Sequence, residues 1–207
     1  MQSIAKQFYL WTRDLHLYVG LAISPFILVF AISVIFLNHP GIPLGSSAVR
    51  QSTVLVQIPP GLEHLEGMAL VEKVKEIMRK LGIGGEVSFI RAKDGYLIVP
   101  VEKPGREITL NLNLQNNMSI IQQRNTGLWD AMDYLHKSPG PHLANIRGNW
   151  VYTRIWKRTV DAVVYLLLFI SASGIYLWAV LKAERKVGLI ILGAGIISFM
   201  GVIYALL

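Results

Sequence analysis

Hydrophobic positions along this chain gather into three long uncharged runs, Leu17 to Leu37, Ala162 to Leu181 and Val187 to Leu207, with segments of mixed polarity between and before them. Each run is about 20 residues long, and about 20 helical residues cross the hydrocarbon core of a bilayer. A helix is the form in which a single segment satisfies its own backbone hydrogen bonds in lipid. The pattern therefore predicts transmembrane helices over 15–38, 159–181 and 187–207, preceded by an N-terminal segment 1–14. A short turn, 182–186, joins the last two.

Between the first and second runs the periodicity changes. Asn38-His39-Pro40-Gly41-Ile42-Pro43 ends the first span, since its prolines cannot continue a helix. Thr53 to Ile58 alternates, and in Leu65 to Leu81 the residues Leu70, Val74, Ile77, Met78 and Leu81 recur at helical spacing among Glu and Lys, which predicts one amphipathic helix. Three strand-like runs follow, Glu86 to Arg91, Tyr96 to Glu102 and Glu107 to Leu114, separated by the turn sequences Lys93-Asp94-Gly95 and Lys103-Pro104-Gly105-Arg106. Residues 39–125 thus read as a helix packed on a small antiparallel sheet. Residues 126–158, broken by Gly and Pro and rich in Trp, read as an irregular membrane-proximal segment. The predicted fold class is an α-helical integral membrane protein with three transmembrane helices and a small α+β domain between the first and second.

Composition sharpens this picture. The chain is 53% hydrophobic and 16% charged, and it has no cysteine, which excludes covalently attached c-type haem, thiolate iron–sulfur clusters, disulfides and Cys-based zinc sites. The net charge of +7 would suggest nucleic acid in a soluble chain, but here Lys and Arg sit beside the apolar runs, as expected near lipid headgroups, so no nucleic-acid partner is expected. Lys6 and Arg13 before the first span, with Lys182, Arg185 and Lys186 between the last two, place those ends in the cytoplasm and the domain in the periplasm. Arg147, Arg154, Lys157 and Arg158 oppose that orientation in part. The first run exceeds a signal-peptide core and no small-residue cleavage pattern closes it, so it reads as a retained anchor. Trp150, Tyr152, Trp156, Tyr176 and Trp178 read as interfacial belts. The small residues Ser171 to Gly174, and Gly188, Gly193, Gly195 and Gly201 with Ala194 and Ser198, read as helix-packing positions.

The candidate chemistry rests on five histidines, His16, His39, His64, His136 and His142. His16 and His39 lie about 34 Å apart on one helix at 1.5 Å per residue, so they cannot share a site. His39, His136 and His142 all fall near the outer face, where two could ligate one haem iron from opposite sides; imidazole suits that position, and bis-His coordination favours electron transfer. The competing reading makes each a solvated interfacial residue. His64, between acidic neighbours, reads as exposed surface. A copper or other metal site using Met118 and Met132 with histidines is a further option. Asp130 and Asp133 have no nucleophile beside them, so no catalytic residue is assigned.

The pattern Trp11-x-x-x-Leu15-His16-x-x-x-Gly20, then Asn38-His39-Pro40, Leu135-His136, and Asp161 before a span ending Ser173-Gly174-Ile175-Tyr176-Leu177-Trp178, resembles the PepSY-associated transmembrane helix family. The helix-and-strand segment is similar to a PepSY domain. The resemblance implies a bacterial inner-membrane protein, linked in some members to haem-dependent reduction of ferric siderophores. It implies non-covalent haem b, with His39 and His136 as iron ligands and His16 as a further cofactor-binding candidate; His142 joins them as a cofactor-binding candidate only by its place near the outer face. Unlike larger reductase-like relatives, this sequence has three spans and no second histidine near His16. Without a Gly-rich dinucleotide fingerprint, the implied electron donor is a quinol or a separate reductase. The competing class is a non-catalytic accessory subunit, working with other membrane subunits or as a homo-oligomer.

Overall fold

The computed structural model describes residues 4–39, 48–138, 143, 145–181 and 185–207. It divides into two compact units, one drawn from residues 1–25 and 162–207, the other from 26–161. In chain order the elements are α1 (Ile4–Asn38), β1 (Arg50–Leu55), a 3₁₀ turn (Leu62–His64), α2 (Gly67–Lys80), β2 (Glu86–Val87), β3 (Arg91–Lys93), β4 (Tyr96–Lys103), β5 (Arg106–Asn113), β6 (Met118–Asn125), α3 (Gly127–Lys137), α4 (Val151–Leu181) and α5 (Arg185–Leu206).

Three helices, α1, α4 and α5, are long and apolar enough to cross a membrane, and the chain is a multi-pass membrane protein. Two of them outrun the apolar stretches that predicted them: α1 is already helical at Ile4 and α4 at Val151. Hydrophobicity marks where lipid begins, whereas helix ends are set by backbone propensity, and Lys6, Gln7 and Leu10 are good helix formers outside lipid as well. In the unit formed by residues 1–25 and 162–207, Gly20 lets Ile170 approach, with an added Cβ falling 3.6 Å from its Cδ1. The glycines of α5 behave differently from the sequence expectation. Gly193, Gly195 and Gly201 face open space, and no residue of α5 is buried. Only Gly188 meets a neighbour, the Trp178 indole, which would collide with any side chain placed there.

The unit of residues 26–161 holds the α+β core. Its six strands form one antiparallel sheet in the order β1-β6-β5-β4-β2, with β3 pairing to β4 beyond β2. Strict alternation puts Leu97, Val99 and Val101 of β4 and Ile108, Leu110 and Leu112 of β5 on one face. Against them pack Val71, Val74, Ile77 and Met78, one stripe of α2. Burying each such side chain stabilises the fold by about 1.5–3 kcal/mol before entropy is counted. Pro100 sits inside β4, where a proline removes a ladder donor. It is accommodated because pairing with the neighbouring chain is interrupted just there, between Val87 and Arg91, leaving only Ser88 N–H to donate to its carbonyl at 3.0 Å. The β3–β4 turn uses Asp94 (φ 52°) and Gly95 (φ 78°), two successive positive φ values that match the twist of a two-residue hairpin.

Two elements were not legible as predicted. β6 carries Gln122, Gln123 and Arg124 in place of apolar alternation, and α3 occupies a stretch expected to be irregular. Gly85, just before β2, is held by close approach: an added Cβ would lie 2.6 Å from Val101 Cγ1 and 2.9 Å from the Glu102 carbonyl oxygen. Gly85→Ala is therefore expected to cost about 1–3 kcal/mol, as overpacking against backbone does. Thermal unfolding of the purified variant checks this, and an unchanged midpoint would contradict the packing described.

Candidate histidine ligand sites

His136 lies in the last turn of α3, half-buried, and its ring is held from two sides. Nδ1 is 2.8 Å from the hydroxyl of Ser33 on α1, and the Phe30 ring meets the imidazole edge-on with centroids 5.5 Å apart. Ser33, only 2% exposed, also donates to the Phe30 carbonyl at 2.7 Å. A hydroxyl has one proton; with that proton given to the carbonyl, Ser33 Oγ accepts from His136 Nδ1–H, the tautomer we assign. The neutral ring then carries its bare lone pair on Nε2, which makes no hydrogen bond among the described residues. A ligating histidine needs its other ring nitrogen fixed by an outer partner in this way. Neighbouring aromatics hold the same segment, with Trp156 Nε1 donating to the Leu135 carbonyl at 2.8 Å and Trp129 against Phe36 at 4.0 Å.

The other unit repeats the device. His16 Nδ1 is 2.8 Å from Ser173 Oγ, and Ser173 donates to the Phe169 carbonyl at 2.6 Å, so the same assignment makes Nδ1 the donor and leaves the lone pair of the neutral ring on Nε2. Gly174 makes room for the ring, since a Cβ there would sit 3.4 Å from His16 Cε1. Beside this pair runs an apolar groove of about 610 Å³ lined by Phe8, Trp11, Phe169 and Tyr176 among others. His39 is exposed at the end of α1, and its Nδ1–H donates to the Ile35 carbonyl at 2.9 Å, which again leaves Nε2 free. It follows Ser33 by six residues, about 9 Å along the axis and about 120° around it. No hydrogen bond or ring contact joins His39 to His136 among the described residues. His142 lies outside the described residues. His64 is exposed, with Nε2 3.6 Å from a Glu63 carboxylate oxygen. No group of three or more His, Asp or Glu able to hold a metal ion occurs among the described residues.

Glu86 is the centre of a polar knot that fixes α3. Its side chain is fully buried; Oε1 accepts from Gly148 N–H at 2.6 Å and Oε2 from Tyr134 OH at 3.2 Å and Thr153 Oγ1 at 3.1 Å, with Arg147 at 3.7 Å. Asn149 continues it, exchanging two hydrogen bonds with the Val87 backbone as an additional strand would. Lys75 donates to the Asn149 carbonyl. Tyr134 is two residues before His136, so the knot sets the position of the α3 end that carries the imidazole. Burial pushes the Tyr134 hydroxyl above its usual value of 10.0, against hydrogen bonds that pull it down, and the Glu86 carboxylate raises it further. A group whose folded pKa is raised stabilises the fold fully below its unfolded pKa, and that stability is lost as pH rises through it. Melting curves from pH 8 to 11 should therefore show the wild type losing an increment above about pH 10 that Tyr134→Phe lacks; parallel curves would contradict it.

Ser33, Glu86 and Asn149 were not among the residues singled out in the sequence, and Ser173 was singled out only as a helix-packing position and part of the family motif. Ser33 carried a signal, being a polar residue inside an apolar span, where such residues face the protein. Comparison with known proteins gives one family match: the family described as PepSY_TM-like aligns with residues 10–207. No curated protein and no solved structure matches the chain.

Proposed function

The chain belongs to the PepSY_TM-like family, and from that premise we propose that it is a b-type haem protein carrying electrons in the bacterial inner membrane. The observation that carries this is the run of contacts Phe30 carbonyl, Ser33 hydroxyl, His136 Nδ1, which orients the ring and, with Nδ1 assigned as the donor, leaves the Nε2 lone pair for a ligand. The donor set fits haem: His136 and His39 would hold the iron, both with Nδ1 committed to a protein acceptor. A haem held there supplies a reversible one-electron centre. His16, fixed in the same way by Ser173, is the candidate for a second site, with His142 as a further one. The arrangement of Lys6 and Arg13 against the domain supports an N-terminus in the cytoplasm and the sheet in the periplasm. In this reading the donor is a quinol or a separate reductase, and the acceptor a ferric siderophore or a partner protein.

Ser33→Ala tests the proposal without removing the ligand. It frees the imidazole to rotate and change tautomer, and loss of such an outer partner weakens binding about 10–100-fold. Haem titration of the folded variant should show that loss; unaltered affinity would remove the support for His136 as ligand. A second reading, an accessory subunit of a larger membrane complex, is favoured by α5, which exposes apolar surface on every side and buries no residue.

A further inference from the structure

We propose that the β4–β5 hairpin end carries a separate binding site for a zwitterion of the phosphoethanolamine type. Lys103 and Arg106 stand directly opposite each other across the ladder, as do Glu102 and Glu107 one step further in. Like charges so placed repel and destabilise a sheet. The acidic pair is compensated, Glu102 by Arg147 at 3.7 Å and Glu107 by Arg124 at 2.7 Å. Lys103 and Arg106, both half-buried, have no carboxylate partner among the described residues. The fold therefore keeps two adjacent cations side by side with no protein anion between them.

These cations line a cavity of about 420 Å³, a volume suited to a small ligand, together with the ion-paired Glu102, Glu107, Arg124 and Arg147, and α3 forms a further wall of it. That wall offers the complementary charge. Asp130 has no ion pair among the described residues, and Asp133 gives Oδ2 to Lys137 at 2.9 Å while its Oδ1 is buried without a hydrogen-bond partner. The two walls are fixed to each other: Thr126 N–H donates to the Gly105 carbonyl at 3.0 Å, and a Cβ on Gly105 would sit 3.5 Å from the Gly127 carbonyl oxygen. A bare oxyanion would satisfy Lys103 and Arg106 but face the two aspartates, and a bare amine the reverse. A phosphate followed closely by an ammonium group satisfies both walls. Such a group belongs equally to a soluble phosphoethanolamine ester and to the headgroup of phosphatidylethanolamine.

Calorimetric titration of the full chain in detergent with O-phosphoethanolamine, inorganic phosphate and ethanolamine tests the site, alongside melting in nanodiscs with and without phosphatidylethanolamine. The zwitterion should bind more than about tenfold tighter than either half, because each charged contact is worth more than a factor of ten. If the lipid is the source, stabilisation appears in the phosphatidylethanolamine nanodiscs as well; if only the soluble ester binds, the source is a free ester. Lys103→Gln/Arg106→Gln should lose more than about tenfold in affinity while melting at the same or a higher temperature, since it relieves repulsion. Failure of both soluble and bilayer probes, equal binding of phosphate alone, or binding unchanged in the double variant would overturn the proposal.

Discussion

On the proposed haem reading, His136→Ala is expected to abolish haem retention, the purified variant holding less than about a tenth of the wild-type haem per chain, since loss of a ligand exceeds the 10–100-fold effect of losing its outer partner. The expectation rests on a specific geometry. Ser33 Oγ lies within reach of both the Phe30 carbonyl and His136 Nδ1; with its proton on the carbonyl it accepts from Nδ1–H, the tautomer we assign, and the neutral ring then keeps its lone pair on Nε2. A histidine present only to satisfy a buried serine would behave otherwise. Its replacement by alanine would cost some stability and leave haem content untouched. Haem quantitation on variants whose far-ultraviolet circular dichroism matches the wild type separates the two. His39→Ala belongs in the same series, because its Nε2 is equally free but its ring is exposed and held only by its own helix.

Glu86→Ala is expected to be the most destabilising single change in the α+β unit. Removing the carboxylate strands the Tyr134 and Thr153 hydroxyls and the Gly148 amide at once, and leaves Arg147 only Glu102 as a partner. Breaking a buried, hydrogen-bonded charge by deleting one partner costs about 3–5 kcal/mol, which for a domain of this size lowers the melting midpoint by more than about 10 °C. Glu86→Gln keeps one oxygen for Gly148 N–H and loses chiefly the charge, so its midpoint should fall between the two. If alanine and glutamine variants both melt with the wild type, the knot is not what holds α3 and the start of α4 to β2.

The difference between what the sequence revealed and what it hid follows from the range of the interactions. The spans were visible as uncharged apolar runs long enough to cross a bilayer, and α2, β4 and β5 because each buries a continuous stripe whose period is local: Leu97, Val99 and Val101 alternate, while Val71, Val74 and Met78 recur at helical spacing. β6 was hidden because it pairs on one side with the exposed β1 and buries only Ser119, so its side chains carry no alternation; the ladder alone makes it a strand. α3 was readable in retrospect. Leu128, Trp129, Met132 and Leu135 follow helical spacing, with Asp130 in the first turn and His136 and Lys137 in the last. The Gly and Pro residues that follow it obscured that pattern. The histidines could be picked out, but not their partners, since Ser33 lies 103 positions from His136 and Ser173 lies 157 from His16. Glu86 looked like one more strand residue, because the groups that make it a buried hub come from α3, α4 and the segment between them.

The small-residue pattern of α5 is a separate lesson. Gly193, Gly195 and Gly201 were expected to bring helices together, yet an added Cβ at each would meet nothing within 4 Å. Spacing showed that close approach was possible; it could not show which helix would make it.

The measurement that bears most directly on the account is a reduced-minus-oxidised visible spectrum of the detergent-purified full chain, with pyridine haemochromogen quantitation. A chain whose His136 and His39 hold iron gives the sharp reduced bands of bis-His b-type haem at one haem per chain, or two if His16 anchors a second. A folded protein that remains colourless after incubation with haem would contradict the proposal and leave the accessory-subunit reading in its place.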